Sequence, residues 1–404
     1  MSDTEADMQK IVLVAPFALE PRGTVRARMV PIARELQARG YDVTIIVPPW
    51  DNPEYSERHL EVDGVNVINV QFKTSNSLEH LRVIRRVISA VREQDPDVVH
   101  VFKPVAHAGA IALFLILLKK LRVGCPVVLD SDDWEGDAGQ NERSRRSRPE
   151  ELIMHYQERF IPQVVDTVTV ASRTLETQMW GAGVASDRVF YAPNGQDPDQ
   201  FDQSNVDLSV VRSNHGIGDG PVVLLYTRFF EYELERVIDV FRRVSDQISN
   251  VQFVVVGEGR DGEHETFAQL AEQAGIGEST HLIGRVPFDE LAMFFALADV
   301  AVYPFDDTLI NRAKCPAKLT ELMLTGQCIV AEDVGQVSEY IVNGQSGLLS
   351  SPGDTDAFVN NLLRALESPD LRETVGENTR NRILHTFDWK KITTQILEAY
   401  KRAY

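Results

Sequence analysis

The stretch NRAKCPAKLTELMLTGQCIVA, Asn311 to Ala331, reads as a helix followed closely by a strand. Pro316 suits the first turn of a helix, where its missing N–H costs little. Leu319, Leu322 and Met323 recur at helical spacing, and Gly326 supplies the stop. Cys328 to Ala331 is then a short apolar run of the kind buried in a sheet. Lys318 and Glu321 stand three residues apart, so they share a helix face near its positive end. The pair fits an anion site with a carboxylate beside it, suited to a diphosphate and a sugar diol, or else a plain surface ion pair.

Outward from that stretch the same alternation repeats. In the first half, strands are expected at Lys10–Ala15, Asp42–Val47, near Val65–Val70, at Val98–Val101, Pro126–Leu129 and Thr167–Val170, the last taken as the final strand of this half. Helical spacing marks Val25 to Arg39, Ser77 to Glu93 and the apolar run after His107. Strand, Gly-containing loop, helix and strand make a right-handed crossover unit, which predicts a parallel, doubly wound sheet. Residues Gln196 to Gly220 are rich in Asp, Asn, Ser and Gly, and the alternation restarts after them at Val222–Tyr226, Gln252–Val256, His281–Ile283, Val300–Tyr303 and Cys328–Ala331. The expected division is 1–196 and 221–386 as two Rossmann-like α/β domains, 197–220 as linker, and 387–404 as a C-terminal helix packing back on the first domain. Two facing doubly wound sheets would hold their ligand in a crevice at the carboxyl ends of the strands.

Bulk composition narrows the function. The chain has 404 residues, 41 basic and 60 acidic, for a formal charge of −19. Nucleic acid is not expected as a partner, because no general basic field is available to replace phosphate counterions. Cys125, Cys315 and Cys328 are scattered and odd in number, which indicates neither a disulfide scaffold nor a zinc site. The acidic start MSDTEADMQK lacks the apolar core of a secretory signal, so a cytoplasmic location is expected. Ala108 to Leu118 is apolar but too short for a bilayer, which takes about 20 residues. It reads as a helix packed on a sheet, with an interfacial anchor as the alternative.

Several chemistries lack their signatures. The dinucleotide fingerprint is missing after the first strand of either half. Gly257-Glu258-Gly259-Arg260-Asp261-Gly262 has the spacing, yet it follows a second strand, and the next strand ends in Gly284 where a ribose-binding acid would stand. No P-loop, H-E-x-x-H or G-x-S-x-G is present.

Taken in order, the second-half segments resemble the GT-B glycosyltransferases of the family-4 type. Pro193-Asn194-Gly195 with Asp197 is similar to that family's P-N-G-x-D, and Val256-Gly257-Glu258-Gly259 to its V-G-x-G turn. Gly284-Arg285-Val286-Pro287, Ala298-Asp299-Val300 and Tyr303-Pro304 follow in the family's order, then Asn343 to Leu349 and Pro352-Gly353-Asp354. The variant S-P-x-K-L-x-E-Y-M of bacterial cell-surface members resembles CPAKLTELM here. The chain departs from the family twice. The first glutamate of the family's E-x7-E falls on Ala313, and the lysine expected five residues after Arg228 is Glu233.

The resemblance implies a transferase moving a hexosyl unit from a UDP- or GDP-linked sugar to a glycan or lipid-linked acceptor, retaining and needing no metal or other cofactor. The first domain would hold the acceptor and the second the donor. Arg228 and Lys318 would then carry the leaving diphosphate, Lys318 replacing the lost lysine, while Glu321 accepts the ribose hydroxyls. Gly257, Arg285, Val286 and Pro316 would frame the nucleotide, and Gly23 and Thr24, in the loop Pro21–Thr24, would approach the donor phosphate. Arg28, Asp130 and Asp132 are expected to touch the acceptor, with Asp133 as its base. The alternative for these aspartates is a helix-capping turn, and a divalent metal is not assigned to them. His100 and His107 are read as structural. Peripheral membrane contact is left open through the Arg143–Arg148 cluster or the apolar helix. Competing readings are a non-catalytic GT-B subunit and a sugar-nucleotide epimerase or phosphorylase.

Overall fold

The computed structural model describes residues 8–20, 23–73, 76–136, 139, 147–198, 200–204 and 206–404. The chain forms two compact units. One takes the chain up to Gly195 with Ala313–Cys315 and Trp389–Tyr404, and the other takes Gln196–Arg312 and Pro316–Asp388.

The first unit is built on β1 (Lys10–Val14), β2 (Asp42–Val47), β3 (His59–Val62), β4 (Val65–Asn69), β5 (Val98–Phe102), β6 (Val127–Ser131), β7 (Thr167–Val170) and β8 (Val189–Tyr191), in the sheet order β3-β4-β2-β1-β5-β6-β7-β8. Ile11 to Val14 and Val98 to Phe102 are buried throughout, as unbroken apolar strands covered on both faces should be. Each fully buried Val or Ile contributes about 1.5–3 kcal/mol. Val14 stands in register with Ile46 of β2 on one side and Val101 of β5 on the other. The winding reverses between β1 and β5, so the loops following these two strands part there, which is where doubly wound sheets take ligands.

Helices α1 (Val30–Ala38), α2 (Ser77–Gln94), α3 (Ala106–Lys120), α4 (Arg148–Val164) and α5 (Arg173–Gly181) connect the strands. A wide π-type turn, Val25–Met29, leads into α1. Pro31 at the start of α1 lacks the N–H that would tighten it. α3 packs between α2 and α4, while the C-terminal helix Trp389–Ala403 lies on β7, β8 and α1.

The second unit opens with α6 (Leu208–His215) and carries β9 (Val222–Tyr226), β10 (Gln252–Val256), β11 (Thr280–Gly284), β12 (Val300–Tyr303), β13 (Ile329–Glu332) and β14 (Leu348–Ser350). All pairs are parallel, in the order β11-β10-β9-β12-β13-β14, with the reversal between β9 and β12. Its helices continue as α7 (Leu234–Ser245), α8 (Glu263–Gln273), α9 (Leu291–Leu297), α10 (Leu309–Ala313), α11 (Ala317–Leu324), α12 (Val337–Tyr340), α13 (Thr355–Glu367) and α14 (Pro369–Thr386). Stacked Phe241 and Phe253, 4.2 Å between centroids, sit in the core beneath α7.

The structure corrects the sequence reading in several places. β7 is followed by β8, and the first sheet has an antiparallel edge, β3 against β4. The expected linker 197–220 contains α6, with Asp207 capping it through Ser209 and Val210, and belongs to the second unit. Ala313–Cys315 leave the second half of the sequence to join the first unit, and the C-terminal segment of that unit begins at Trp389, not at 387. β14 and α14 were not anticipated.

Candidate active site

The Asn311–Ala331 stretch folds as α10, a short connection, α11 and β13, with Pro316 as the residue before the first turn of α11. The chain leaves α11 through Gly326 in left-handed backbone, φ 75°. α11 follows β12, so its start lies at the strand ends where the sheet order reverses. Tyr226 ends β9 beside it. The Lys318 Nζ stands 3.1 Å from the centroid of the Tyr226 ring, and the Tyr226 hydroxyl donates to the Glu321 carboxylate. Glu321 is 7% exposed, and its Oε2 has no hydrogen-bond partner. A buried carboxylate oxygen left open in this way is a vacant acceptor for a ligand donor.

Electrostatics reinforce that reading. Burial lowers the Lys318 ammonium to about 7; Glu321 opposes the shift and Arg228 adds to it. Burial raises Glu321, against the pull of Lys318, the Tyr226 hydroxyl and Arg228. The surface Lys–Glu alternative therefore fails: Glu321 is buried, Lys318 is half-buried, and each charge favours the other's charged form. Arg228 is exposed, with its charge within reach of both.

The neighbouring backbone is locked by contacts only these residues allow. Thr227 Oγ1 accepts from the Phe229 N–H and the Tyr232 hydroxyl, both at 2.9 Å, holding Phe229 at φ 67°. Gly257 has φ 137°, and a Cβ there would lie 1.9 Å from the Thr227 carbonyl oxygen. Its N–H donates to the Gly284 carbonyl at 2.8 Å, tying the ends of β9, β10 and β11 together. Arg285 is exposed and Val286 half-buried just beyond β11, while Pro316 is buried. Of the departures, Glu233 is exposed at the N-cap of α7, where a carboxylate suits the helix dipole better than lysine. Ala313 is fully buried in the apolar cluster of the first unit, its carbonyl accepting from Ser172 Oγ at 2.6 Å.

In the first unit, Pro21 and Arg22 lie outside the described residues, as does most of the Arg143–Arg148 cluster. Gly23 is exposed, and Thr24 Oγ1 reaches Asp132 Oδ2 at 3.4 Å. Arg28 and Asp130 are not presented to a ligand, which corrects the acceptor contact expected of them. They form a buried bidentate pair, Nε to Oδ1 at 2.8 Å and Nη2 to Oδ2 at 2.7 Å. Arg28 also donates to Asn194 Oδ1 and the Ala192 carbonyl, and Asp130 accepts from Thr169. Asn194, in the P-N-G segment, further donates through Nδ2 to the Cys315 carbonyl at 2.9 Å, so this motif residue anchors 313–315. His100 bridges Thr169 and Tyr400, and burial pushes it down to about 4, neutral. His107, also lowered to about 4 by burial, pairs with His80 at 2.9 Å.

Asp132 and Asp133 surround a residue the sequence reading missed. Lys103 Nζ lies 3.1 Å from Asp132, 2.9 Å from Asp133 and 3.3 Å from Glu135. Asp133 is the more open of the two aspartates, its side chain 30% exposed. Burial raises Asp132 to about 6, Lys103 opposing and Asp133 and Asp130 adding to it. Glu158, buried on α4 with neither carboxyl oxygen hydrogen-bonded, is pushed well above the carboxylate range by burial and by Glu135. Among the described residues no group of three His, Cys, Asp or Glu closes on a common metal position. Tyr226 and Lys103 share the one signal that could have revealed them: each is a polar residue at the carboxyl end of an unbroken apolar strand, VVLLY and VVHVFK.

Known proteins agree with this architecture. Residues 23–195 match the Glycosyl transferase 4-like domain and 210–382 match Glycosyl transferases group 1. The phosphatidyl-myo-inositol mannosyltransferase of Mycolicibacterium smegmatis is 23% identical over 97% of this chain and 93% of its own length. The lipopolysaccharide 1,2-N-acetylglucosaminetransferase of Salmonella typhimurium is 24% identical over 62% of this chain and 66% of its own. Among solved structures, Anabaena HepE in complex with UDP and glucose superposes with a TM-score of 0.72 at 18% identity, over 97% of this chain and 98% of that one. With two Rossmann-like sheets and both family domains in order, the chain belongs to the GT-B glycosyltransferases of the family-4 type.

Proposed function

We propose that this glycosyltransferase moves a hexosyl unit from a UDP- or GDP-linked sugar to a glycan or lipid-linked acceptor, with retention and with protein cations in place of a metal. The observation that carries the reading is the Lys318–Glu321–Tyr226 group at the switch point of the second sheet, with Glu321 Oε2 open. A diphosphate beside Lys318 favours its charged form, with uptake of a proton where the ammonium was neutral, and the charged ammonium favours the ionised Glu321. That leaves Glu321 an ionised acceptor for the ribose hydroxyls. As the glycosidic bond breaks, charge grows on the β-phosphate, and Arg228 and Lys318 stabilise it. Gly257, Arg285, Val286 and Pro316 frame the nucleotide; Gly23, Thr24, Asp132 and Asp133 serve the first unit's share of the chemistry, with Asp133 nearest solvent. The names of relatives support the substrate classes: one is GDP-mannose-dependent and acts on a phosphatidylinositol monomannoside, and HepE was solved with UDP-glucose.

The test is a melting panel of nucleoside diphosphates and nucleotide sugars, followed by product analysis with lipid and glycan acceptors. A ligand at about 100 times its Kd adds about 2.7 kcal/mol. One base should stabilise the wild type selectively, and Lys318→Ala should weaken the effect. Binding without any transfer would instead support the non-catalytic subunit.

A lipid-linked acceptor also calls for a surface that meets the bilayer. No described helix is long and apolar enough to cross one. The outer faces of α2, α3 and α4 expose Leu78, Leu81, Leu117, Leu121, Leu152 and Ile153, the first four beside Arg82, Arg85, Lys120 and Arg122. In a chain of net charge −19, this apolar and basic face suits an anionic membrane surface at the cytoplasmic side. Vesicles containing phosphatidylglycerol should retain the protein where pure phosphatidylcholine does not. Leu117→Gln with Leu121→Gln should abolish the retention; retention unchanged in that variant would move the contact elsewhere.

A further inference from the structure

We propose that Lys103 is a built-in cation at the switch point of the first sheet, a positioning residue that holds Asp132, Asp133 and Glu135 in place. The proposal rests on the reading that these carboxylates serve the acceptor. Lys103 follows β5 directly, is 5% exposed, and reaches three carboxylates within 3.3 Å. Its backbone is held for the purpose: φ is 66°, in the left-handed region that lysine rarely adopts, and its N–H donates to the Asp130 carbonyl at 2.9 Å. β5 is thereby fixed to β6 at the residue from which the aspartates follow.

The charges around it explain why one cation matters. Asp132, Asp133 and Glu135 face Lys103 from the segment after β6, Glu158 from α4, while Asp130 is already matched by Arg28. Asp132, Asp133 and Glu135 thus gather on one ammonium, with Glu158 close behind. Glu158, most deeply buried and lacking a hydrogen bond, is raised well above the carboxylate range, and Asp132 is raised to about 6. Removing the ammonium takes away the charge that opposes the rise of Asp132 and leaves the carboxylates a few ångströms apart. Lys103 is thus a positioning residue whose loss should show in the protonation of its neighbours as well as in rate.

The experiment compares wild type, Lys103→Met, Lys103→Ala and Lys103→Arg in the full chain. Lys103→Met should keep the nucleotide-induced stabilisation of the second unit, lose at least tenfold in transfer at pH 7, and shift the acid limb of its pH profile upward by a unit or more. Lys103→Arg should restore the wild-type profile. Millimolar Ca²⁺ or ethylammonium should raise the melting temperature of Lys103→Ala and recover part of its activity, while leaving wild type unchanged. A Lys103→Met profile that matches wild type overturns the proposal. So does a Lys103→Ala protein that Ca²⁺ and ethylammonium both fail to stabilise, even where the variant folds poorly. The melting arms need no turnover, so they decide the role of Lys103 even if the transferase reading of the acceptor side fails; that failure shows separately, as wild type binding nucleotide without transfer.

Discussion

Two lysines, each at the switch point of its own sheet, are desolvated with opposite results: Lys103 is buried and Lys318 half-buried. Lys318 has Glu321, itself raised by burial, and the weaker influence of Glu231 to support its charge, and the Arg228 charge against it; its ammonium is lowered to about 7. Lys103 has Asp132, Asp133 and Glu135 in contact, and although burial alone would lower it, the three together hold it well above the ordinary lysine value. Contact decides the sign: three carboxylates within 3.3 Å outweigh desolvation at Lys103, and at Lys318 desolvation prevails. Lys103 is complete within the protein. Lys318 is not, and in the proposed function a diphosphate would supply the negative charge it lacks.

The largest expected effect comes from supplying a carboxylate to the donor half by the family's own route. Ala313→Glu would restore the E-x7-E spacing, but Ala313 is fully buried in the apolar cluster of the first unit. An uncompensated carboxylate there should cost about 3–5 kcal/mol, visible as a lower urea midpoint, with no gain in transfer. A stable, more active variant would mean that the chain retains room for the family arrangement. Next comes Glu321→Gln, which keeps the shape but removes the ionised acceptor. Loss of a charged hydrogen bond of about 1.5–3 kcal/mol corresponds to a roughly 10–150-fold weaker Kd for UDP or GDP, read by calorimetry. An unchanged Kd would take the ribose away from Glu321.

How much of this was legible from residues alone follows from what residue type can and cannot say. The apolar strands and the Pro316-to-Gly326 helix were visible because they rest on local pattern. β3, β8 and β14 were missed because they are three or four residues at or near sheet edges, too short for a period to register. α14 hides for another reason: its buried positions include Gly376 and Thr379, not a stripe of large side chains. A Cβ on Gly376 would come within 2.2 Å of the Gly326 carbonyl, so close backbone packing replaces apolar bulk. At the site, Lys318 and Glu321 were found by spacing. Arg28 and Asp130 have the composition of a ligand site, but their partners, Asn194 and Thr169, are far away in sequence, and only the fold shows that their polar atoms are spent on each other. Lys103 was missed because its carboxylates arrive from a different strand.

The pH dependence of nucleotide binding gives a smaller, sharper test. Below about pH 7 Lys318 is charged in the free protein; above it the ammonium is largely neutral, and a bound diphosphate must recruit a proton to it. UDP or GDP affinity should therefore fall with rising pH above about 7, by at most tenfold per unit, about 1.4 kcal/mol. Proton uptake should appear as a binding enthalpy that varies with buffer ionisation. Lys318→Arg should flatten both, because guanidinium does not titrate in this range. The same depressed lysine makes the unfolded chain bind more protons between about 7 and its ordinary value of 10.5, so its contribution to stability rises with pH across that window. An affinity that is flat from pH 6.5 to 8.5 in wild type would put Lys318 fully charged without ligand, and the contrast with Lys103 would disappear.

The smallest effect isolates the Tyr226 hydroxyl. Tyr226→Phe keeps the ring under Lys318 Nζ and removes only the donor to Glu321. The cation–ring attraction, about 0.5–2 kcal/mol, survives, so the fold of α11 should not change. Glu321 loses one of the contacts that hold its ionised form and should rise further, which weakens its support for the Lys318 charge. The cost to nucleotide binding should be about 1 kcal/mol, roughly fivefold, and the onset of the affinity loss should move to lower pH. A fivefold loss with the onset unmoved would make the Tyr226 hydroxyl a binding contact that does not tune Lys318. A moved onset would show that Glu321 and Lys318 titrate together, the coupling that separates this half of the molecule from the closed ion cluster at Lys103.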